Sequence, residues 1–201
     1  YIIGVLCCAV GYALMSYLMT ATPLQVVNVA KLGNSANATI IQWHVVAMFL
    51  PSFFTGSLIG RFGAFRILWF GVAFYLASIF LAVTAAGFWP YWLALVAAGL
   101  GWNFLFVGGT SLVARVAEPE ERGRVQGFAD LMTMTTVAAA SLSAGAIHSQ
   151  LGWEALSLAA LGPLSLVCAG LLWLGVIRGR EKARRLIGDG RVTRRSRSCD
   201  G

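Results

Sequence analysis

The feature that most constrains this chain is a series of six apolar stretches, none containing a Lys or Arg. They run roughly over 1–22, 39–59, 67–86, 90–113, 125–149 and 152–177. About twenty residues of helix reach across the roughly 30 Å hydrocarbon core of a bilayer. Soluble domains carry about 25% charged residues. Here 201 residues are 11% charged and 58% hydrophobic, too little charge to coat a soluble surface. A disordered chain, a disulfide-stapled secreted module and a cytosolic enzyme are excluded on these grounds. None of the stretches alternates as a strand does, so the expected fold is an all-α membrane protein of six transmembrane helices.

The boundaries follow from polar punctuation. The first stretch is expected to break at Pro23, before a loop holding Lys31, Gly33, Asn34 and Asn37. Connectors 61–66, 87–90, 115–124 and 152–154 separate the remaining stretches. Because Tyr1 already lies in an apolar stretch with no charged leader or cleavage site, a signal peptide is not expected, and the chain reads as lacking an upstream part. Cys7 and Cys8 are neighbours in one stretch, Cys168 lies in another and Cys199 follows the last, so no disulfide framework is implied. No metal site and no cofactor are expected.

The basic residues set the orientation. Nine of the fifteen Lys and Arg lie between Arg178 and Arg197, two more are Arg61 and Arg66, and three are Arg115, Arg122 and Arg124. With six spans, these fourteen share one side and only Lys31 faces the other. That side is cytoplasmic by the positive-inside rule, which places the C-terminus in the cytoplasm. Residues 1–178 then form the transmembrane domain. Residues 179–201 form a basic tail, expected to be disordered and attracted to anionic lipid rather than to nucleic acid.

Polar groups inside a bilayer need a reason, and here they are unevenly spread. The third stretch has only Ser78 and Thr84 apart from ring hydroxyls, and the sixth has little beyond Ser157, Ser165 and Cys168. The first holds Tyr12, Ser16, Tyr17 and Thr20, and the second holds Gln42, His44, Ser52 and Thr55. Asn103 lies mid-way along the fourth, while the fifth carries Asp130, a Thr run, Ser141, Ser143 and His148. On a helical wheel Asp130, Ser141 and His148 fall within roughly 40° of one line. Pro51 removes a backbone donor mid-stretch and needs a compensating neighbour or water.

Each candidate has a plainer alternative. Asp130, six residues past Arg124, is either a cavity acid or a headgroup-level residue favoured by a helix N-terminus. His44 and His148, near outer ends, are either functional or simply solvated. Asn103 either faces a wet cavity or hydrogen-bonds between helices, and the glycines around it permit close packing.

The segment GSLIGRFGAFRIL resembles the loop signature of the major facilitator superfamily. Gly56, Leu58, Arg61, Gly63 and Arg66 keep its spacing, while Gly60 stands where the family has Asp and Ala64-Phe65 replace its basic pair. Residues 118–124 resemble the charged loop before that family's eleventh helix, and Gly152-Trp153-Glu154 resembles the turn opening its twelfth. The runs IQWHVVAMFLPSFFTG and GLGWNFLFVGGTSL look like an uncharacterised bacterial branch of these transporters.

The resemblance implies the C-terminal half of a twelve-helix transporter, built from two inverted three-helix repeats. The pair Gly56 and Gly63 recurs 89 residues later as Gly145 and Gly152, a faint trace of them. It also implies that the first, second, fourth and fifth stretches line a central cavity, and these are the four that hold the polar groups.

The function expected is alternating-access secondary transport of a small solute, possible proton coupling included, in the bacterial inner (plasma) membrane. The partners are membrane lipid and an N-terminal six-helix half of the same protein. Tyr12, Ser16, His44, Asn103 and Ser141 are the expected cavity-lining residues, and Asp130, His44 and His148 the proton-coupling candidates. With no Lys or Arg in any stretch, a neutral, amphipathic or cationic solute is favoured over a phosphorylated one. Two alternatives compete: a self-contained six-helix channel or scaffold, and a rhomboid-like serine protease. The protease would need Ser111 and His148 together, yet they fall on opposite membrane faces. The chain is therefore not expected to be an enzyme.

Overall fold

The computed structural model describes residues 1–116, 118 and 120–197, with side chains up to residue 180. Among the described residues the chain is helical throughout, with no strand. The helices are α1 (Ile2–Pro23, continued by a π-helical segment Leu24–Val29), α2 (Gly33–Phe49), α3 (Ser52–Phe62), α4 (Ala64–Val83), α5 (Phe88–Val116), α6 (Arg122–Ala159) and α7 (Leu161–Arg197). Four helical stretches are long and apolar enough to cross a membrane, or five if the bent pair α2–α3 counts as one.

Two prolines expected to act as breaks behave differently. Pro23 does not end the first helix. The chain widens into a π-helical turn and runs on to Val29, with Ala30 N–H donating to the Gln25 carbonyl at 2.8 Å. Pro51 does interrupt its helix, and α2 and α3 meet there at 40°. In both places the missing proline N–H frees a carbonyl one turn earlier. A wider turn absorbs the first loss and a bend the second.

Residues Arg122–Arg180 form a single apolar stretch of 59 residues. Straight, it would extend about 88 Å, nearly three bilayer cores. It is not straight, because Gly152 adopts φ +77°, ψ −178° in its middle. Contacts at its two ends show where each leg goes. The Tyr1 hydroxyl donates to the Val125 carbonyl at 3.2 Å, at the start of α6. His148 meets Gln25, and Trp153 Nε1 donates to the Ala82 carbonyl at 2.8 Å, at the far ends of α1 and α4. The chain then returns, and Arg178 stacks over Phe65 at the first end. Gly63 performs the corresponding turn between α3 and α4 with φ +82°.

The core lies between α1, α4 and α5. Bilayer helices gain nothing from hiding apolar surface from one another, so small residues that allow close approach hold them together. A side chain on Gly109 would begin 2.7 Å from Cys8 Sγ and 2.8 Å from the Gly4 carbonyl. Gly11 and Gly71 press from opposite sides on Leu105, which is fully buried. The few polar groups of α4 are used inside the bundle. Tyr75 donates to the Gly11 carbonyl at 2.6 Å, and Ser78 to the Ala94 carbonyl at 2.8 Å. By contrast α7 presents Leu166, Leu172, Trp173 and Val176 outward, a face suited to lipid.

Candidate functional site: a clamped helix bend and its aromatic neighbours

The site is built around the bend at Pro51. The missing Pro51 N–H leaves the Ala47 carbonyl without its helical donor, and because α3 starts anew at Ser52 the Met48 carbonyl keeps only a long 3.5 Å contact from Ser52 Oγ. Asn103, on α5, supplies a donor: Nδ2 donates to the Met48 carbonyl at 2.8 Å and also to Ser52 Oγ. Thr55 Oγ1 donates to Asn103 Oδ1 at 2.6 Å, with the Pro51 carbonyl 2.8 Å away. Asn103 and Thr55 are both fully buried. One amide therefore ties the Met48 carbonyl, Ser52 and Thr55 on both sides of the bend to α5, where lipid would offer no partner.

His44 makes the second contact between these helices. Its Nδ1 lies 2.6 Å from the Leu95 carbonyl, an acceptor, so Nδ1 carries the proton. One turn further along α5, a side chain on Gly99 would begin 2.7 Å from the His44 carbonyl. Two residues expected on a cavity wall, Asn103 and His44, thus have no exposed surface in this chain. The Asn103 amide and His44 Nδ1 serve the contact between α2–α3 and α5, while His44 Nε2 is buried without a partner.

The same bend presents a group of rings. Phe49 ends α2 and is 56% exposed. Its ring meets Trp102 edge-on at 5.8 Å. Trp102 and Phe106, one turn apart on α5, stack at 5.1 Å with their planes 9° from parallel. Tyr12 of α1 stands edge-on to both, 5.5 Å from each. Tyr12 and Phe106 are half-buried, while Trp102 is 5% exposed with its Nε1 lacking a hydrogen-bond partner. Trp102 and Phe106 flank Asn103 in sequence, and the i, i+4 ring spacing was a visible signal. Phe49 comes from another helix and could not have been joined to them without the fold.

Tyr12 and Ser16 share the open stripe of α1, with Thr20 beyond them, and each keeps exposed surface. Ser141 of α6 is half-buried. Asp130 is exposed and accepts from Gln126 Nε2 at 3.1 Å, one turn earlier. His148 lies at the other end of α6, half-buried against Trp153, with Nε2 3.1 Å from Gln25 Oε1. Gln25 in turn donates to the Tyr91 hydroxyl at 2.8 Å, so a polar chain joins α1, α5 and α6 around a recess of about 350 Å³. Asp130 and His148 are therefore not brought together. Nor are Ser111 and His148, since Ser111 lines a separate recess with Thr110, Arg115 and Gln126. Around the turn at Gly63, Gly56 and Arg61 at the end of α3 and Arg66 at the start of α4 are exposed, Leu58 and Gly63 are half-buried, and Arg61 lies 5.4 Å over the Phe62 ring.

Comparison with known proteins follows the same lines. The family described as Major Facilitator Superfamily matches residues 1–197. The chain is 40% identical over 172 residues to the riboflavin transporter RfnT of Brucella anthropi, covering 86% of this chain and 43% of that protein. It is 33% identical over 171 residues to the uncharacterized MFS-type transporter YdeG of Bacillus subtilis, covering 83% and 39%. It is 28% identical over 173 residues to the uncharacterized MFS-type transporter YddS of the same organism, covering 85% and 39%. The chain thus spans about two fifths of the length of the curated relatives it matches. No solved structure matches it. The apolar helices make it an integral membrane protein, and its relatives are transporters rather than enzymes. The chain belongs to the major facilitator superfamily.

Proposed function

We propose that this chain is one six-span half of a secondary transporter that moves a neutral, planar, amphipathic solute of the flavin kind by alternating access. The observation that carries the solute class is the 40% identity to a protein named as a riboflavin transporter. The open ring cluster on α1, α2 and α5 supports it. Six spans follow from counting α2–α3 as one and the two legs of Arg122–Arg180 as two. The second half is a further six-helix unit of the same protein, related to this one in the manner of inverted-repeat transporters. It would face the open stripes of α1 and α6 across the cavity.

In this reading the cavity wall carries Tyr12, Ser16, Phe49 and Ser141, while Asn103 and His44 hold it from behind. Asp130, exposed on α6, is the coupling candidate, and His148 a second. The protein lies in the bacterial inner membrane with the loop of Arg61 and Arg66 and the basic segment after residue 178 on the cytoplasmic side.

The direct test is flux of labelled riboflavin into proteoliposomes holding the full-length protein. Saturable flux above protein-free vesicles is expected, with the phosphorylated flavin carried at least about tenfold less well, because no buried cation meets its phosphate. Absence of riboflavin flux in either direction would remove the solute assignment. Asp130→Asn is expected to abolish proton-driven accumulation while leaving exchange of internal for external solute. Accumulation unchanged in that variant would remove Asp130 from the coupling role.

A further inference from the structure

We propose that Tyr12, Phe49, Trp102 and Phe106 form the surface on which the transported solute stacks its ring system, and that Asn103 positions this surface by fixing the bend at Pro51. The proposal rests on the transport reading above and deepens it by naming how the solute is held.

The four rings come from three helices, and their order of burial is informative. Trp102 is at the back, Tyr12 and Phe106 are partly open, and Phe49 is more than half exposed. The outermost ring of the cluster stays open. The cluster leaves an aromatic face free beside the hydroxyl-bearing stripe of Tyr12, Ser16 and Thr20 on α1. That stripe is unlike the aliphatic lipid-facing surface of α7. The parallel Trp102–Phe106 pair with Tyr12 and Phe49 edge-on builds a wall of alternating ring faces and edges, an arrangement to which a further flat ring adds by offset stacking.

Trp102 also retains a buried N–H with no partner. A heteroaromatic solute brings carbonyl and ring-nitrogen acceptors that a hydrocarbon lacks, so the leftover donor favours the former. The place of Phe49 depends on the bend, because it is the last residue of α2 before the break. The bend is held from α5 by the residue next to Trp102. Clamp and ring surface thus belong to one short segment, Trp102-Asn103-Phe106 in register, acting on one turn of α2.

The test uses the full-length protein in proteoliposomes. Phe49→Ala should raise the riboflavin KM about five- to tenfold with the maximal rate little changed, the scale of one lost ring contact. Phe49→Tyr should restore the wild-type KM. Phe80→Ala, which removes an exposed ring from α4 outside the cluster, should leave it unaltered. The bare flavin ring system, lumichrome, should compete with riboflavin, and ribitol, the chain without the ring, should not. A wild-type KM in Phe49→Ala, or competition by ribitol and not by lumichrome, would overturn the proposal while the transport reading stands.

Should riboflavin not be carried at all, the transport reading fails, and the ring surface is then judged by binding alone. Saturable quenching of tryptophan emission by lumichrome should weaken in Phe49→Ala and lose amplitude in Trp102→Phe. Quenching identical in wild type and both variants overturns the surface independently.

Discussion

Helices α5 and α6 are both long, apolar and rich in glycine, yet they face opposite demands. In α5 every glycine from Gly99 to Gly109 meets another helix closely: a side chain would begin 2.7 Å from a neighbour at Gly99 and Gly109, 2.8 Å at Gly101 and 2.9 Å at Gly108. In α6, Gly123, Gly127 and Gly145 meet nothing within 4 Å. The apolar stretch of α5 is 61% buried inside the chain, whereas before Gly152 the buried residues of α6 are Ala129, Thr133 and Ala144. Small residues that permit close approach are thus used up in α5 and left available in α6. The lesson is that α5 is the keel of this half, and that α6, with its open glycines, threonines and alanines, is shaped to meet something outside it.

The largest effect expected from this contrast is on folding. Gly109→Leu places atoms inside the α1 contact, so the full-length protein should fail to insert or lose more than about 3 kcal/mol of stability. Gly127→Leu should leave this half folded and disturb only what packs on α6. Thermal midpoints in detergent decide it, and equal losses in the two variants would break the comparison. A smaller effect is expected at the clamp. Asn103→Leu leaves the Met48 carbonyl without its partner and should cost about 2 kcal/mol. Thr55→Val, which removes one of the bonds to the same amide, should cost about 1 kcal/mol. A Thr55 variant more damaging than the Asn103 variant would contradict the assignment of Asn103 as the hub. The smallest effect is Gly127→Ala, expected within about 0.5 kcal/mol of wild type because nothing lies near the added methyl. A larger loss would mean α6 is already covered.

Much of this was readable from residue order, and what was not has a common cause. Long apolar stretches without cations announce a helical membrane protein because the bilayer leaves backbone groups no other partner. The loop around Gly56, Arg61 and Gly63 pointed to the family. Pro51 was recognisable as a donor deficit, but the amide that holds its bend lies on α5, 55 residues from Met48, and no local pattern connects Met48 to Asn103. The same distance hid the ring cluster, since Phe49 joins Trp102 only through the bend. Pro23 misled for a local reason: proline forbids one hydrogen bond, and a π-helical turn tolerates the loss where an α-turn would break. Tyr12 and Ser16 were chosen for their hydroxyls and are open. Asn103 and His44 were chosen for depth and polarity, and those same properties suit a buried bond between helices equally well.

The central claim is that the open stripes of α1 and α6 face a water-filled path while the exposed faces of α4 and α7 face lipid. It is tested most directly by single cysteines in a cysteine-free full-length protein, probed with a membrane-impermeant maleimide. Ser16→Cys and Ser141→Cys should be labelled and should be protected by saturating riboflavin, whereas Phe80→Cys and Leu172→Cys should remain unlabelled. Labelling at Phe80 and Leu172 with none at Ser16 and Ser141 would contradict the account.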